Sequence, residues 1–477
     1  MFPYTTFSNP PNEFRGTDFW MLNDALNDAE IAFQIAEMKK QGVASFIART
    51  YIGLKSDYPG PQFKQHMHSI VRSAREHGLK VFLQAGYMPE AVLDLPPEMA
   101  LRNLTPMPKA EAAGKGEILA EDGDLAFVAV NTNTFVDMLN HDAITFYLKQ
   151  SYEDMWKDFR DEFGKTILSV WVDEPSYSAA ALPWSCAIAP AFRQRWGYDI
   201  QSKIPLLYRD RDDYATVRYH YWLVVQDLLK TAYFIQVRDW CRRNNLLFSG
   251  HLMAEDTLAM QLSRAGATMP YYKYFDIPGI DYLTAEMNWR HAPLRARSEA
   301  SGFRQGMYTT PLQCCSAAHQ AGQTQILAEM YGVSSENLTL RDQKNMFDHF
   351  ASFGINHKSV HGIFYSLRGR GKRAYPPHVH YYQPYWQDYK ALTDYCARAS
   401  LFISQGQPVK DLLVIHPLSS AACEYRGPKT PDGQSPDIGR RDTAFRVLER
   451  QLVGCQCDFH LGDEDTIAMW GKVARDG

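Results

Sequence analysis

The sequence predicts an α/β protein, a (β/α)8 TIM barrel with insertions, followed by the start of a second α/β domain. Three observations point there. Short apolar runs alternate with helical patterns along most of the chain, the pattern of a parallel sheet covered by helices. Eight such runs can be counted, which favours a closed barrel over an open doubly wound sheet. No G-x-G-x-x-G follows the first run, so a dinucleotide-binding sheet is not indicated.

The elements follow in order. Asn27 and Glu30 form a capping box that opens a helix with Ile31, Ile35 and Met38 on one face, ended by Gly42. Ala44 to Ala48 is then the first strand, leading to Arg49 and Tyr51. Phe63 to His77 is a helix closed by Gly78, and Val81 to Leu83 is the second strand, followed by Gln84. Residues 88–130 read as an insertion with a hairpin turn at Asp122-Gly123. A third strand runs from Phe135 to Leu139 and ends at Asn140. Tyr152, Met155, Phe159 and Phe163 recur at helical spacing, and Ile167 to Val172 is a fourth, fully buried strand. A long helix from Tyr214 to Arg243 precedes the fifth strand, which ends at His251. Ile280 to Leu283, the run ending at Glu329, and Val360 to Tyr365 complete the count, with Thr339 and Asp342 capping the helix before the last. The barrel is expected over residues 1–403, more than the roughly 250 residues typical of the fold but within its range once insertions are allowed. From 404 to 477 the pattern restarts as strand (Lys410 to His416), helix (Thr443 to Leu452) and strand (Gln456 to Leu461), the expected beginning of a truncated βαβ domain.

Bulk composition narrows the function class. Net charge is −4 with both signs well mixed, which gives no electrostatic footprint for nucleic acid or a membrane surface. The basic run Leu367 to Arg373 is the local exception and reads as a solvated loop or a contact to a polar part of the substrate. The eight cysteines show no CxxC spacing and are expected to be reduced thiols. There is no apolar run of membrane-spanning length and no leader-like N-terminus, so a cytoplasmic enzyme is expected unless a leader has been trimmed. Aromatic residues reach 13%, in keeping with sugar-stacking clefts and equally with a large core. The oligomeric state is left open.

In such a barrel the chemistry sits at the carboxyl ends of the strands. That rule selects Arg49, Tyr51, Gln84, Asp137, Asn140, Asp173, Glu174, His251, Glu255, Asp281, Glu329, His361 and Tyr365. Glu174 and Glu329 stand out, because each ends an apolar run, on the fourth and seventh strands, on opposite sides of the mouth. Glycoside cleavage needs one protonated carboxyl to protonate the leaving oxygen and one ionised carboxylate to attack the anomeric carbon or activate water. Asp173 beside Glu174 favours a protonated neighbour, which suits Glu174 as the acid and Glu329 as its partner. Asn140, Asp173, His251, Glu255, Asp281, His361 and Tyr365 are the expected substrate contacts, with a carbohydrate as the partner. His251 and Glu255, four apart, form with Asp281 an alternative cation site, while the competing role for His251 is a hydrogen bond to a sugar hydroxyl or a catalytic carboxylate. Trp184, Trp289, Tyr271, Tyr272 and Tyr365 are candidate stacking residues. Two rivals remain: a metal-dependent lyase or isomerase, and a barrel that binds carbohydrate without turning it over.

Several motifs carry a family resemblance. Phe19-Trp-Met-Leu-Asn23 followed by Glu30, Gln34 to Lys39 and Gly42-Val43 resembles the opening of glycoside hydrolase family 106, the α-L-rhamnosidases and their relatives. Asp173-Glu-Pro175, Gly250-His251 with Glu255, Pro278 to Asp281, Gln325 to Gly332, and Tyr365 to Gly369 with Tyr375-Pro-Pro377 extend it over most of residues 15–420. The resemblance implies a catalytic barrel and exo-acting removal of a terminal sugar. It also implies inversion, with Glu329 as the base, and an association with Ca2+, although the two-carboxylate chemistry itself requires no cofactor. Val172 to Pro175 and the βαβ start also look like retaining β-galactosidase-type barrels, in which Glu329 would be the nucleophile.

Overall fold

The computed structural model describes residues 4–87, 94–177, 180–282, 307–371, 375–428 and 436–474. Eight parallel strands close a barrel: β1 (Asp18–Leu22), β2 (Ser45–Thr50), β3 (Lys80–Tyr87), β4 (Ile167–Asp173), β5 (Leu247–His251), β6 (Ile277–Asp281), β7 (Leu327–Met330) and β8 (His357–Val360, resuming at Ile363–Phe364). Closure is explicit, since Ile363 and Phe364 pair with Trp20 and Met21 of β1 while His357 to Val360 pair with β7.

Two strand assignments change. Asp18–Leu22 is the true first strand, overlooked because no helical pattern precedes it. Phe135 to Leu139 is not a barrel strand. It contains the end of a long strand, Leu125–Val136, in an antiparallel insertion sheet that also holds Ala100–Pro108, Glu117–Asp122 and Leu182–Trp184. The two errors cancel in the count, so Glu174 and Glu329 keep the fourth and seventh strands while Arg49 and Gln84 move to the second and third. Asp122-Gly123 does turn the hairpin, with Gly123 at φ +56.

Side-chain alternation along the strands decides what fills the barrel. Phe19, Met21, Ile47, Phe82, Trp171, Ile277, Leu327 and Phe364 form one apolar cluster, with Phe19 edge-on to Trp171 at 5.1 Å. The intervening positions, among them Trp20, Phe46, Val81, Val170, Phe248, Ala328 and Val360, belong to the larger cluster that includes the surrounding helices. Advancing two residues from the inner apolar layer gives Arg49, Gln84, Asp173 and Glu329, with His251 and Asp281 in step on β5 and β6. The polar layer is thus set by strand parity.

Helices complete each unit. Asn27 caps Asp28–Lys40 by accepting from the backbone N–H of Ala29 and Glu30, but the reciprocal Glu30 contact expected of a capping box is replaced by bonds to Gln34 and Tyr381. The box at Thr339 and Asp342 is complete. At the barrel seam, buried Lys358 donates to both oxygens of buried Asp18 (2.6 and 2.9 Å), tying β8 to β1. Leu412–Ile415 and Phe459–Gly462 form a separate parallel pair. It is anchored to the barrel through Leu461 N–H to Ser316 Oγ (2.9 Å), and the helix Pro436–Gly454 between its strands through Leu258 N–H to Asp442 Oδ1 (2.9 Å). Among the described residues no helix is long and apolar enough to cross a membrane.

Candidate active site

The polar layer is one connected network. Arg49 Nη2 lies 2.6 Å from Asp173 Oδ2, and Gln84 Nε2 donates to the same oxygen at 3.3 Å. His251 Nε2 lies 2.8 Å from Glu329 Oε2 and 3.3 Å from Asp173 Oδ1. The other ring nitrogen, Nδ1, lies 3.0 Å from the carbonyl of Leu252. A carbonyl oxygen and a carboxylate are both acceptors, so both ring nitrogens carry protons and His251 is an imidazolium. Gly250 makes room for this histidine: its φ is +142, and a Cβ there would stand 2.0 Å from the Val172 carbonyl of β4.

Glu174 reaches the site by a different route. Continuing β4 would point residue 174 away from the barrel interior, but Glu174 has φ +52, a left-handed conformation that costs on the order of 1–2 kcal/mol for a residue with a Cβ. This turn swings it over the mouth, where it lines the same cavity as Asp281 at the end of β6.

Two carboxyls of this cavity, Glu329 and Asp281, sit in opposite environments. Burial pushes Glu329 up, but the His251 hydrogen bond and charge, with help from His361 and Arg49, outweigh it and bring the carboxyl down to about 2. Asp281 moves the other way: burial, then the charge of Glu329, hold it well above the usual carboxylate range. Burial raises Asp173 to about 6 against the pull of Arg49 and His251. His251 is raised although burial opposes its charge, because Glu329 and Asp173 face it. His361, lowered to about 4 by burial despite Glu329, is a neutral imidazole at neutral pH.

Asp173, Glu174, Asp281, Glu329 and His361 all line one cavity of about 730 Å3 at the barrel mouth. Other expected contacts lie elsewhere. Buried His251 stands behind Glu329 and takes the carboxylate-bonding role rather than a sugar-contacting one. Asn140 caps the helix His141–Leu148, accepting from Asp142 N–H, because the turn it occupies leaves the insertion sheet and not the barrel. Glu255 is buried beneath the mouth beside the Tyr272 hydroxyl, pushed up to about 8 by burial. Tyr365 turns outward, its hydroxyl accepting from Asn27 N–H at the cap of the first long helix. Tyr271, Tyr272 and Trp184 are buried in packing and offer no stacking face, and Trp289 lies outside the described residues. Stacking surface is instead supplied by Tyr51, Tyr58 and Tyr375, beside an apolar wall of Ile52, Leu54, Met253 and Val333. Tyr51 follows a strand and Tyr375 sits in a quoted motif; the remainder lie on loops that carried no signal. In the basic run, Arg368 pairs with Asp24 at 2.8 Å, and Lys372 and Arg373 lie outside the described residues.

Among the described residues, Asp173, His251 and Glu329 are the one trio of potential ligand side chains, with donor atoms within 4.8 Å of one another. They do not fit Ca2+, which takes six to eight oxygens. This trio offers two carboxylates already paired to cations and an imidazolium with no free lone pair. The His251, Glu255 and Asp281 set does not assemble either, since His251 is directed at Glu329.

Comparisons with known proteins agree with the fold. A rhamnosidase from Novosphingobium sp. PP1Y superposes with a TM-score of 0.68 at 12% identity, over 97% of this chain and 64% of that one. A β-galactosidase from the psychrophilic Marinomonas ef1 gives 0.59 at 9% identity, over 94% and 70%. In sequence, a putative beta-glucuronidase of Formosa agariphila is 23% identical over 292 residues, 58% of this chain and 22% of its own length. The chain thus spans about a fifth of that relative and under two thirds of the rhamnosidase. The family resemblance seen in the motifs is borne out by a family model described as alpha-L-rhamnosidase, which matches residues 128–449, more than half of the chain, and the protein belongs to glycoside hydrolase family 106.

Proposed function

We propose that this barrel hydrolyses a terminal sugar from the non-reducing end of a glycoside, with α-L-rhamnosides the first class to test. Glu174 acts as general acid, and Glu329 as the base that activates water or, in the retaining alternative, as nucleophile. One observation carries the reading: Glu174 and Glu329 line one cavity from opposite strands of the barrel, and Glu329 is held ionised against the His251 imidazolium. The ionised group supplies the electrons that take the anomeric carbon or a water proton. Glu174, across the cavity, serves the departing oxygen. Tyr51, Tyr58 and Tyr375 suit the C–H face of a sugar ring, neutral His361 suits its hydroxyls, and the wall of Ile52, Leu54 and Val333 suits the methyl group of a 6-deoxy sugar. Any calcium drawn in by the family would have to be held by oxygen donors other than the paired trio.

The test is a panel of aryl glycosides that includes α-L-rhamnoside, run on the wild type, Glu174→Ala and Glu329→Ala, with NMR of the first-formed anomer. We expect each variant to lose at least about a hundredfold in kcat while keeping the wild-type melting temperature within a few degrees. Near-wild-type turnover by either variant would remove that residue from the mechanism. Sugar binding with no turnover of any glycoside would favour a binding barrel.

A further inference from the structure

We propose a second ligand site, at the seam between the barrel and the parallel pair that follows it, built to take the ammonium group of a small organic amine. Strand register assembles it. Ile415 pairs with Gly462, so the next residues, His416 and Asp463, leave the carboxyl ends of adjacent parallel strands side by side. His416 N–H donates to the Gly462 carbonyl at 2.9 Å, which holds the two together. The crevice beyond the carboxyl ends of parallel strands is where α/β sheets take their ligands. Here Leu223, Gln226 and Asp227 of the helix Tyr214–Leu229, with Lys230 just after it, form the facing wall of a cavity of about 290 Å3. It shares no lining residue with the cavity at the barrel mouth.

Two side chains of this cavity are incomplete without an occupant. His416 and Asp463 are 3% and 6% exposed, and neither His416 Nε2 nor Asp463 Oδ2 has a hydrogen-bond partner among the described residues. The other Asp463 oxygen, Oδ1, caps the helix Glu464–Trp470 by accepting from Thr466 N–H at 3.0 Å, which fixes the carboxyl in place. A buried carboxylate oxygen left unpaired is costly, and a ligand that donates to it relieves that cost.

Charge selects the ligand. Four carboxylates line the cavity, Asp227, Asp463, Glu464 and Asp465, against two cations, Arg195 and Lys230. Both cations are already bound: Arg195 pairs with Asp227, and Lys230 with Asp227 (2.7 Å) and Asp465 (3.4 Å). Lys273 also holds Asp465 (2.6 Å), and Glu464 accepts from Ser419 Oγ (2.6 Å). The unpartnered Asp463 oxygen is left as the uncompensated charge, so an anion is disfavoured and a cation is favoured. A metal ion is not served, since the one trio of ligand side chains close enough to share it, among the described residues, is at the barrel mouth. Burial lowers His416 to about 3, so its ring is neutral and can accept at Nε2. An ammonium group donates three hydrogen bonds and accepts none, which matches a carboxylate oxygen beside a neutral imidazole. Leu223, Pro270, Leu418 and Ala468 give the carbon skeleton an apolar surface. The volume, at the lower end for small-molecule sites, suits a hexosamine or a short linear diamine.

The experiment is isothermal titration calorimetry of the whole chain at neutral pH with glucosamine, putrescine, glucose and inorganic phosphate. At least one amine should bind at a single site with Kd below about 10 mM, and glucose and phosphate should bind at least about tenfold more weakly. The stronger amine tells an amino sugar from a linear amine. Asp463→Asn keeps the helix cap and the volume but removes the charge, and should weaken that amine at least about tenfold. In protein carrying nitrogen-15 histidine, the His416 ring signals, assigned with His416→Gln, should move along the same saturation curve. No binding of either amine below about 10 mM would overturn the site. Glucose or phosphate binding as tightly as the stronger amine would overturn the ligand class, a comparison that needs no variant to fold. An amine affinity unchanged in Asp463→Asn, or His416 signals that stay still, would place the amine elsewhere, on the acidic barrel mouth, and would equally overturn the proposal.

Discussion

Replacing His251 with glutamine removes the charge that holds Glu329 ionised while preserving a side-chain N–H donor. In the native site Glu329 is buried and yet depressed to about 2, because the imidazolium 2.8 Å away, with lesser help from His361 and Arg49, outweighs the desolvation that would otherwise raise it. Arg49 cannot substitute, since its guanidinium is bound to Asp173 at 2.6 Å, and His361 is neutral. Loss of an opposite charge at this range raises a carboxyl by roughly 1–3 pH units, or about 1.4–4 kcal/mol, and burial is then opposed only by the lesser pull of His361 and Arg49. The acid limb of kcat/KM should accordingly rise by at least about one pH unit in His251→Gln, so that activity falls about tenfold or more at the acid end and recovers towards pH 8. The assay is a pH–rate profile on an activated aryl glycoside, which isolates the ionised group from the acid. An acid limb identical to wild type, with a uniform loss at every pH, would refute the electrostatic argument and leave His251 as packing alone.

Three further outcomes follow from the same geometry. Glu255, raised from 4.5 to about 8 by burial, makes folding more favourable while it is protonated. That stabilisation is whole below the unfolded value near 4.5 and is lost as pH climbs through 8, so Glu255→Gln should raise the melting temperature at pH 9 more than at pH 6, with about 5 kcal/mol as the upper bound; equal shifts at both pH values would contradict it. Lys358→Met leaves Asp18 as an uncompensated buried charge at the barrel seam and should cost about 3–5 kcal/mol in denaturant unfolding; a change below about 1 kcal/mol would show the seam does not depend on the pair. Gly250→Ala places a methyl against the Val172 carbonyl and should cost both stability and activity, because β4 and β5 must separate there; an unaffected variant would refute the close approach.

Much of this site was readable before any coordinates, and the physical reason is periodicity. Glu329 and Asp173 end apolar runs whose alternation aims them inward, so strand parity alone assembled them with Arg49. The placement of Glu174 over the mouth was not readable. It depends on the left-handed turn at Glu174, and nothing in Asp-Glu-Pro announces a positive φ on a glutamate. Asn140 and Tyr365 were misplaced for another reason: both follow apolar segments, but Asn140 leaves the insertion sheet and Tyr365 points outward to a helix cap. The first strand escaped because only the short helices Tyr4–Ser8 and Asn12–Phe14 precede Asp18 to Leu22, too brief to show a helical period that marks a repeat. The aromatic wall of Tyr58 and Tyr375 comes from loops, where sequence pattern carries no directional information.

The central claim is that Glu329 is held ionised in the same cavity in which Asp281 is held well above the usual carboxylate range. Carbon-13 NMR of protein labelled at the glutamate and aspartate side-chain carboxyls tests it most directly, with Glu329→Gln, Glu174→Gln and Asp281→Asn supplying the assignments. At neutral pH Glu329 should show a carboxylate shift that does not titrate on acidification to pH 5, and the Asp281 resonance should titrate well above the usual carboxylate range. A Glu329 resonance that titrates above pH 5, or an Asp281 resonance that titrates as an ordinary carboxylate, would contradict the account.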